Sequence, residues 1–297
     1  MTSSDHRVEF DFDIDFTNGG SLHATGFRLD IPGDDISERA LADRLVGDLR
    51  LLMVGEVRLR NKRILREPHR RPTRGAAGGG HWVELSHILE DGLVTYPGLP
   101  ALRITAHLSR QASRQRYAAG TEFHIAHLDM VANTGTYLDV PFHRYPDGKD
   151  PSQVNLEQLA DLSGTRISVD ATGRRAVEAE DLRGRELRSR AVLIHTGWSK
   201  HWGNEAYFHG HPYLTEGAAE YLVSGGATLV GIDTLNIDDT SGGERPVHSR
   251  LLAAGILIVE HMCNLDRLPE DGFTFTAAPP RLRGVGSFPV RAYAKIA

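Results

Sequence analysis

Between Arg74 and His81 the chain reads Gly-Ala-Ala-Gly-Gly-Gly, six residues with no side chain larger than a methyl. Such a stretch has too much backbone freedom and too little apolar surface to enter a core, so the residues on either side must build their cores separately. The basic residues just before it, Arg66, Arg70, Arg71 and Arg74, are interrupted by Pro68 and Pro72. That composition reads as a solvated linker rather than a polyanion site. The expected organisation is therefore a small unit over 1–66, a linker over 67–81 and a larger unit over 82–297.

The first unit carries a clear pattern. From Val8 to Phe16 apolar and charged residues alternate, which predicts a half-buried strand. Asn18-Gly19-Gly20 predicts a turn, with Leu22–Ile31 as its hairpin partner. Asp34 or Asp35 is placed to cap a helix with Ile36, Leu41, Leu45 and Leu49 on its apolar face, and Val54–Leu65 reads as a third strand. This is a ββαβ unit, with little core to bury by itself.

The larger unit mixes strands and helices. Ala191–Thr196, Ala227–Asp233 and Ile256–Glu260 are short apolar runs of the kind found in buried central strands. Trp82–Leu89, Glu122–Ala132, Phe273–Ala278 and Pro289–Ile296 read as further strands. Val154–Leu162 and Ala179–Leu187 read as short helices. Thr215 and Gly225-Gly226 bracket a helix over Glu216–Val223. The class is α/β with a mixed central sheet, and nothing has the spacing of a Gly-rich phosphate loop.

Bulk properties exclude several functions. A net charge of −5, from 34 basic and 39 acidic residues, argues against nucleic-acid or anionic-membrane partners. No apolar run approaches the roughly 20 residues that span a bilayer. The acidic, alternating start does not resemble a signal peptide, so a cytoplasmic protein is expected. The single cysteine, Cys263, has no partner for an intrachain disulfide and reads as an inert thiol.

Residues 133–143 read Asn-Thr-Gly-Thr-Tyr-Leu-Asp-Val-Pro-Phe-His. This segment resembles the signature His-x-Gly-Thr-His-x-Asp-x-Pro-x-His of the cyclase-like amidohydrolases, the family of bacterial kynurenine formamidase and isatin hydrolase. Gly135, Thr136, Asp139, Pro141 and His143 match, whereas Asn133 and Tyr137 stand where the family places two metal-ligating histidines. Further anchors follow in order: Leu85-Ser86-His87, Tyr96-Pro97-Gly98, Thr196-Gly197-Trp198, Gly231-Ile232-Asp233-Thr234, and the pair His248 and Glu260. The resemblance runs from about Trp82 to the end. It implies a swivelling β/α/β fold, a dimer or tetramer, a small-molecule substrate and hydrolysis of a carbon–nitrogen bond.

It also implies roles. His143 would be the catalytic base, and Asp139, His248 and Glu260 would hold one divalent ion, Mn²⁺ or Zn²⁺. Without imidazoles at 133 and 137 that ion would be held weakly, or not at all. Asn133 offers only a neutral carbonyl oxygen, and Tyr137 would have to lose a proton with a pKa near 10. Tyr137 could instead donate to an oxyanion, or simply fill space. Trp198 and Phe208 could wall a cyclic substrate beside Asn133. His201, His209 and His211 read as polar loop histidines. Three functions stay open: hydrolase of a small cyclic or aryl amide or lactam, metal-free cyclase, lyase or isomerase, and catalytically silent binding subunit.

Overall fold

The computed structural model describes residues 6–31, 33–49, 51, 53–66, 81–170 and 173–296. The chain divides into two compact units, 1–78 and 79–297. The expected linker over 67–81 falls outside the described residues except for His81.

In the first unit, β1 (His6–Phe16) pairs antiparallel with β2 (Ser21–Ile31) and with β3 (Val54–Arg66), giving the order β2-β1-β3. Alternation along β1 buries Val8, Phe10, Phe12 and Ile14, which cluster with Leu41 and Leu45 of α1 (Glu38–Asp48). Phe27 meets Phe10 and Phe12 edge-on at 5.8 and 5.4 Å. The alternate β1 residues carry charge pairs, among them Glu9 with Arg28 at 2.7 Å and Asp15 with Arg58 at 2.7 Å. Such exposed pairs set solubility and register more than stability. The helix cap is neither Asp34 nor Asp35. It is Ser37, whose Oγ accepts from the Ala40 amide at 3.3 Å, because the helix begins only at Glu38; Asp35 instead takes Lys62 at 2.9 Å.

The second unit begins with β4 (His81–Glu84), then β5 (Arg103–Leu108), the single turn α2 (Arg110–Ser113) and β6 (Ile125–Asp129), which pairs with β5. Next come β7 (Tyr137–Asp139), β8 (Leu162–Ser168), β9 (Ala176–Val177), β10 (Ala191–His195) and β11 (Tyr213–Leu214). The remainder is α3 (Glu216–Gly225), β12 (Leu229–Ile232), α4 (Pro246–Ala253), β13 (Leu257–Glu260), β14 (Phe273–Thr276), β15 (Ser287–Pro289) and β16 (Tyr293–Ile296).

Nine of these strands form one mixed sheet in the order β15-β7-β13-β12-β10-β8-β14-β16-β4. Its centre, β8, β10, β12 and β13, is parallel, and the flanking pairs are antiparallel. Val192 and Ile194 of β10 pack with Ala218, Leu222, Val247 and Leu251 of α3 and α4. The alternate residues Ala191 and Leu193 join a second core with Leu138, Val259 and Phe275. Burial on both faces is what makes the central strands read as continuous apolar runs. The architecture is thus α/β with a mixed sheet.

Some elements differ from expectation. The predicted helices over 154–162 and 179–187 are single 3₁₀ turns, Leu156–Gln158 and Ala179–Leu182. Leu162 cannot extend a helix because it opens β8, which pairs with β10 and β14. The single predicted strand over 289–296 is two, β15 and β16, on opposite sides of the sheet. Thr215 caps α3 as read, and Gly226 closes it at φ 74°, where a glycine is needed. No helix among the described residues is long and apolar enough to cross a membrane.

Candidate active site

Strand register builds the site. β7 lies between β13 and β15, so Tyr137 faces Glu260 on one neighbour, and Asp139 lies opposite Ser287 on the other. The approach to β7 needs glycine at 135, where φ is 67° and a Cβ would lie 2.1 Å from Leu89 Cδ2. After β7, Pro141 starts the 3₁₀ turn Pro141–His143 and lifts His143 onto the rim. His248 enters from the first turn of α4. Asp238 fixes it there: one carboxylate oxygen accepts from the Val247 amide at 2.7 Å, and the other accepts from the His248 amide at 3.0 Å and meets His248 Nδ1 at 2.6 Å.

With Nδ1 committed to Asp238, His248 Nε2 points between two buried carboxylates, 3.6 Å from Asp139 Oδ2 and 3.7 Å from Glu260 Oε1. Glu260 is fully used: Oε1 accepts from the Ile237 amide at 2.6 Å, and Oε2 accepts from the Tyr137 hydroxyl at 2.6 Å. Asp139 Oδ1 accepts a hydrogen bond from Ser287 Oγ, whereas Oδ2 is buried without a hydrogen-bond partner among the described residues. His143 Nδ1 lies 2.9 Å from Ser287 Oγ, and its side chain is 36% exposed, in contrast to the buried Asp139, Glu260 and His248. The structure therefore brings Asp139, His143, His248 and Glu260 together across more than a hundred residues of sequence.

Charge explains the arrangement. Burial alone would lower the His248 pKa, but Glu260, Asp139 and Asp238 outweigh it and raise it to about 10. Burial, reinforced by Asp139, pushes Glu260 up to about 7 against the pull of His248. Burial and the same carboxylates hold the Tyr137 phenol well above its ordinary value, although Asn133 hydrogen-bonds it. Tyr137 is therefore a neutral phenol whose one proton is given to Glu260. Glu260 is thus the partner of a hydroxyl expected either to face an oxyanion or to fill space.

The donors that could hold a divalent ion can be judged on this geometry. Asp139, His143 and His248 each bring a ligand atom within 4.8 Å of the others; Asp139 Oδ2 lies 3.6 Å from His248 Nε2. Glu260 lies beside them with both oxygens hydrogen-bonded. A cation fits this cluster, but positions 133 and 137 add no imidazole to it.

Phe208 lines a cavity of about 360 Å³ with Trp202, Leu93 and Val94, and no member of the carboxylate cluster shares its lining. Trp198 is half-buried, its indole N–H donating to the Tyr207 carbonyl at 3.1 Å. His211 is not a polar loop residue but a buried one, bonded to Thr240 and the Pro212 carbonyl, whereas exposed His209 pairs with Glu205. Burial raises the Cys263 thiol to about 11, so it is not a thiolate near neutral pH.

Sequence reasoning missed Asp238 and Ser287, and gave no role to two imidazoles of the same region, buried His261 and half-buried His87. His261 meets Tyr207 Oη through Nδ1 at 2.9 Å, and His87 stacks on Trp202 at 4.0 Å; neither Nε2 has a partner among the described residues. Burial lowers the His87 pKa from 6.5 to about 4. The unfolded chain therefore binds the extra proton first, and stability is lost as pH falls from about 6.5 towards 4. That difference is worth up to about 3 kcal/mol. His87→Phe keeps a flat ring on Trp202 and removes the titrating nitrogen. Thermal melts between neutral and mildly acidic pH should show a shallower acid loss in the variant, and parallel curves would refute the assignment.

Comparison with known proteins places this geometry. Residues 83–239 match the model of the Cyclase family. The kynurenine formamidase of Bacillus cereus is 27% identical over 217 residues, covering 71% of this chain and 95% of that protein. That of Bacillus cytotoxicus is also 27% identical, with the same coverage. Among solved structures, isatin hydrolase A from Labrenzia aggregata, bound to benzyl benzoate, superposes with a TM-score of 0.63 at 22% identity, over 75% of this chain and 96% of that one. An isatin hydrolase bound to the product analogue thioisatinate gives 0.64 at 19% identity, over 88% and 99%.

Proposed function

The chain belongs to the Cyclase family, and on that premise we propose that it hydrolyses the carbon–nitrogen bond of a small cyclic or aryl amide or lactam, with His143 as general base. The named relatives act on a kynurenine formamide and on isatin, which supports this substrate class. The observation that carries the reading is the half-exposed His143 at the rim of the buried Asp139–His248–Glu260 cluster.

The steps follow from these groups. His143 takes a proton from water, and the oxygen attacks the amide carbonyl. The carbon–nitrogen bond then breaks, and His143 returns the proton to the departing nitrogen, leaving an amine and a carboxylic acid that gives its proton to solvent to become the carboxylate. His248, held positive by the carboxylates around it, places a cation beside the developing negative charge. A divalent ion, when held by Asp139 and His248 with Glu260 or His143, would add Lewis-acid polarisation of the carbonyl. Tyr137, itself hydrogen-bonded by Asn133, helps keep Glu260 in place and carries no proton for the reaction.

The cluster offers a base and a cationic acid without a metal, so a metal-free cyclase, lyase or isomerase is the second reading. Incubation with aryl formamides and aryl lactams, followed by mass spectrometry, separates the two. Gain of one water by the substrate, with carboxylate and amine released, supports the hydrolase. An isomeric or dehydrated product supports the second reading, and no turnover across the panel counts against both.

A further inference from the structure

We propose that Ser287 is a positioning residue that commits neutral His143 to the tautomer with its proton on Nδ1, which leaves Nε2 as the proton-accepting atom. Counting protons gives the direction. Ser287 Oγ contacts two partners, Asp139 Oδ1 and His143 Nδ1, the latter at 2.9 Å. A hydroxyl has one proton, and a carboxylate has none to give. The Ser287 proton therefore goes to Asp139, and Ser287 Oγ can only accept from His143. If His143 Nδ1 were bare, two acceptors would face each other across either the Ser287–Asp139 contact or the Ser287–His143 one. Asp139 thus orients His143 through the serine, since its own oxygen is 3.7 Å from Nδ1.

The backbone holds the relay in register. Ser287 lies opposite Asp139 in the β15–β7 ladder and is 1% exposed, so solvent does not compete for its hydroxyl. The turn bearing His143 is wedged between two glycines. A Cβ at Gly286 would sit 2.3 Å from His143 Cα, and one at Gly148 would sit 2.5 Å from the Pro141 carbonyl carbon. Backbone on both sides fixes the Cα from which the imidazole reaches Ser287. With Nδ1 facing inward to the serine, Nε2 is the nitrogen on the opposite edge of the half-exposed ring.

The tautomer is measurable without substrate. Protein labelled with ¹⁵N-histidine, at a pH where the ring is neutral, gives a two-bond correlation pattern that separates the Nδ1–H and Nε2–H forms. His143→Gln identifies the His143 signals by their loss. The expected result is Nδ1–H in the native protein, a shift towards Nε2–H in Ser287→Ala, and retention of Nδ1–H in Ser287→Thr, which keeps the hydroxyl. Catalytically the claim rests on the proposed role of His143 as base: Ser287→Ala should lower kcat by on the order of 10- to 100-fold with KM little changed, and threonine should restore most of it. An Nε2–H pattern in the native protein overturns the proposal even if the alanine variant fails to fold. So does an alanine variant that keeps Nδ1–H and full kcat. Because the spectrum is read without turnover, failure of the hydrolase reading leaves this result standing on its own.

Discussion

His143→Gln is expected to lower kcat/KM by about 10²- to 10⁴-fold while leaving the melting temperature essentially unchanged. The side chain is 36% exposed, and among the described residues its hydrogen-bond partner is Ser287. A glutamine amide can still donate to that oxygen, so the fold loses little. What it cannot do is accept a proton near neutral pH. The contrast with Asp139→Asn sharpens the test. Asp139 is fully buried, accepts from Ser287 and faces His248 at 3.6 Å, so its amide variant removes a buried charge that His248 needs. The Asp139 variant should lose activity and stability together; the His143 variant should lose activity only. Parallel losses in both would mean that His143 is a structural residue. The measurements are steady-state kinetics on the hydrolysed amide and thermal melts of each variant.

The contrast also marks how much of the site was legible in the sequence. The signature from Asn133 to His143 placed Asp139 and His143 in order, and His248 and Glu260 followed as distant anchors. Central strands β10, β12 and β13 could be read because burial on both faces leaves continuous apolar runs. Strand β7 could not, since three residues carry no period. Helix α4 was missed for a related reason. Its first amides are satisfied by Asp238, well upstream, and Arg245 at the cap position gives no side-chain bond. Local capping rules see nothing there. Ser287 is a serine in Gly-Ser-Phe-Pro, and only the register of β15 on β7 turns its hydroxyl towards Asp139 and His143. The Tyr137–Glu260 bond is equally a product of register, here of β7 on β13. Chemistry set by residue type was readable; chemistry set by strand pairing was not.

Strand pairing also governs the largest expected change in metal affinity, that of the double variant Asn133→His, Tyr137→His. In the native chain the Tyr137 proton occupies Glu260 Oε2, and His248 is held in its protonated form by the carboxylates around it. A divalent ion must displace that proton and finds two imidazoles fewer than the family signature provides. Native protein is therefore expected to purify with substoichiometric zinc, and its turnover should survive dialysis against EDTA. The double change removes the phenol, frees Glu260 Oε2 and adds two neutral nitrogen donors beside Asp139, which suits zinc's preference for nitrogen. Zinc binding should tighten by about a hundredfold or more, roughly 2.8 kcal/mol. Metal analysis of both proteins, purified without chelator and again after EDTA, gives the occupancy; the amide assay on the same samples gives the dependence. Stoichiometric zinc in the native protein, with activity lost on its removal and regained on its return, would overturn this prediction and place the ion on Asp139, His143 and His248 as they stand.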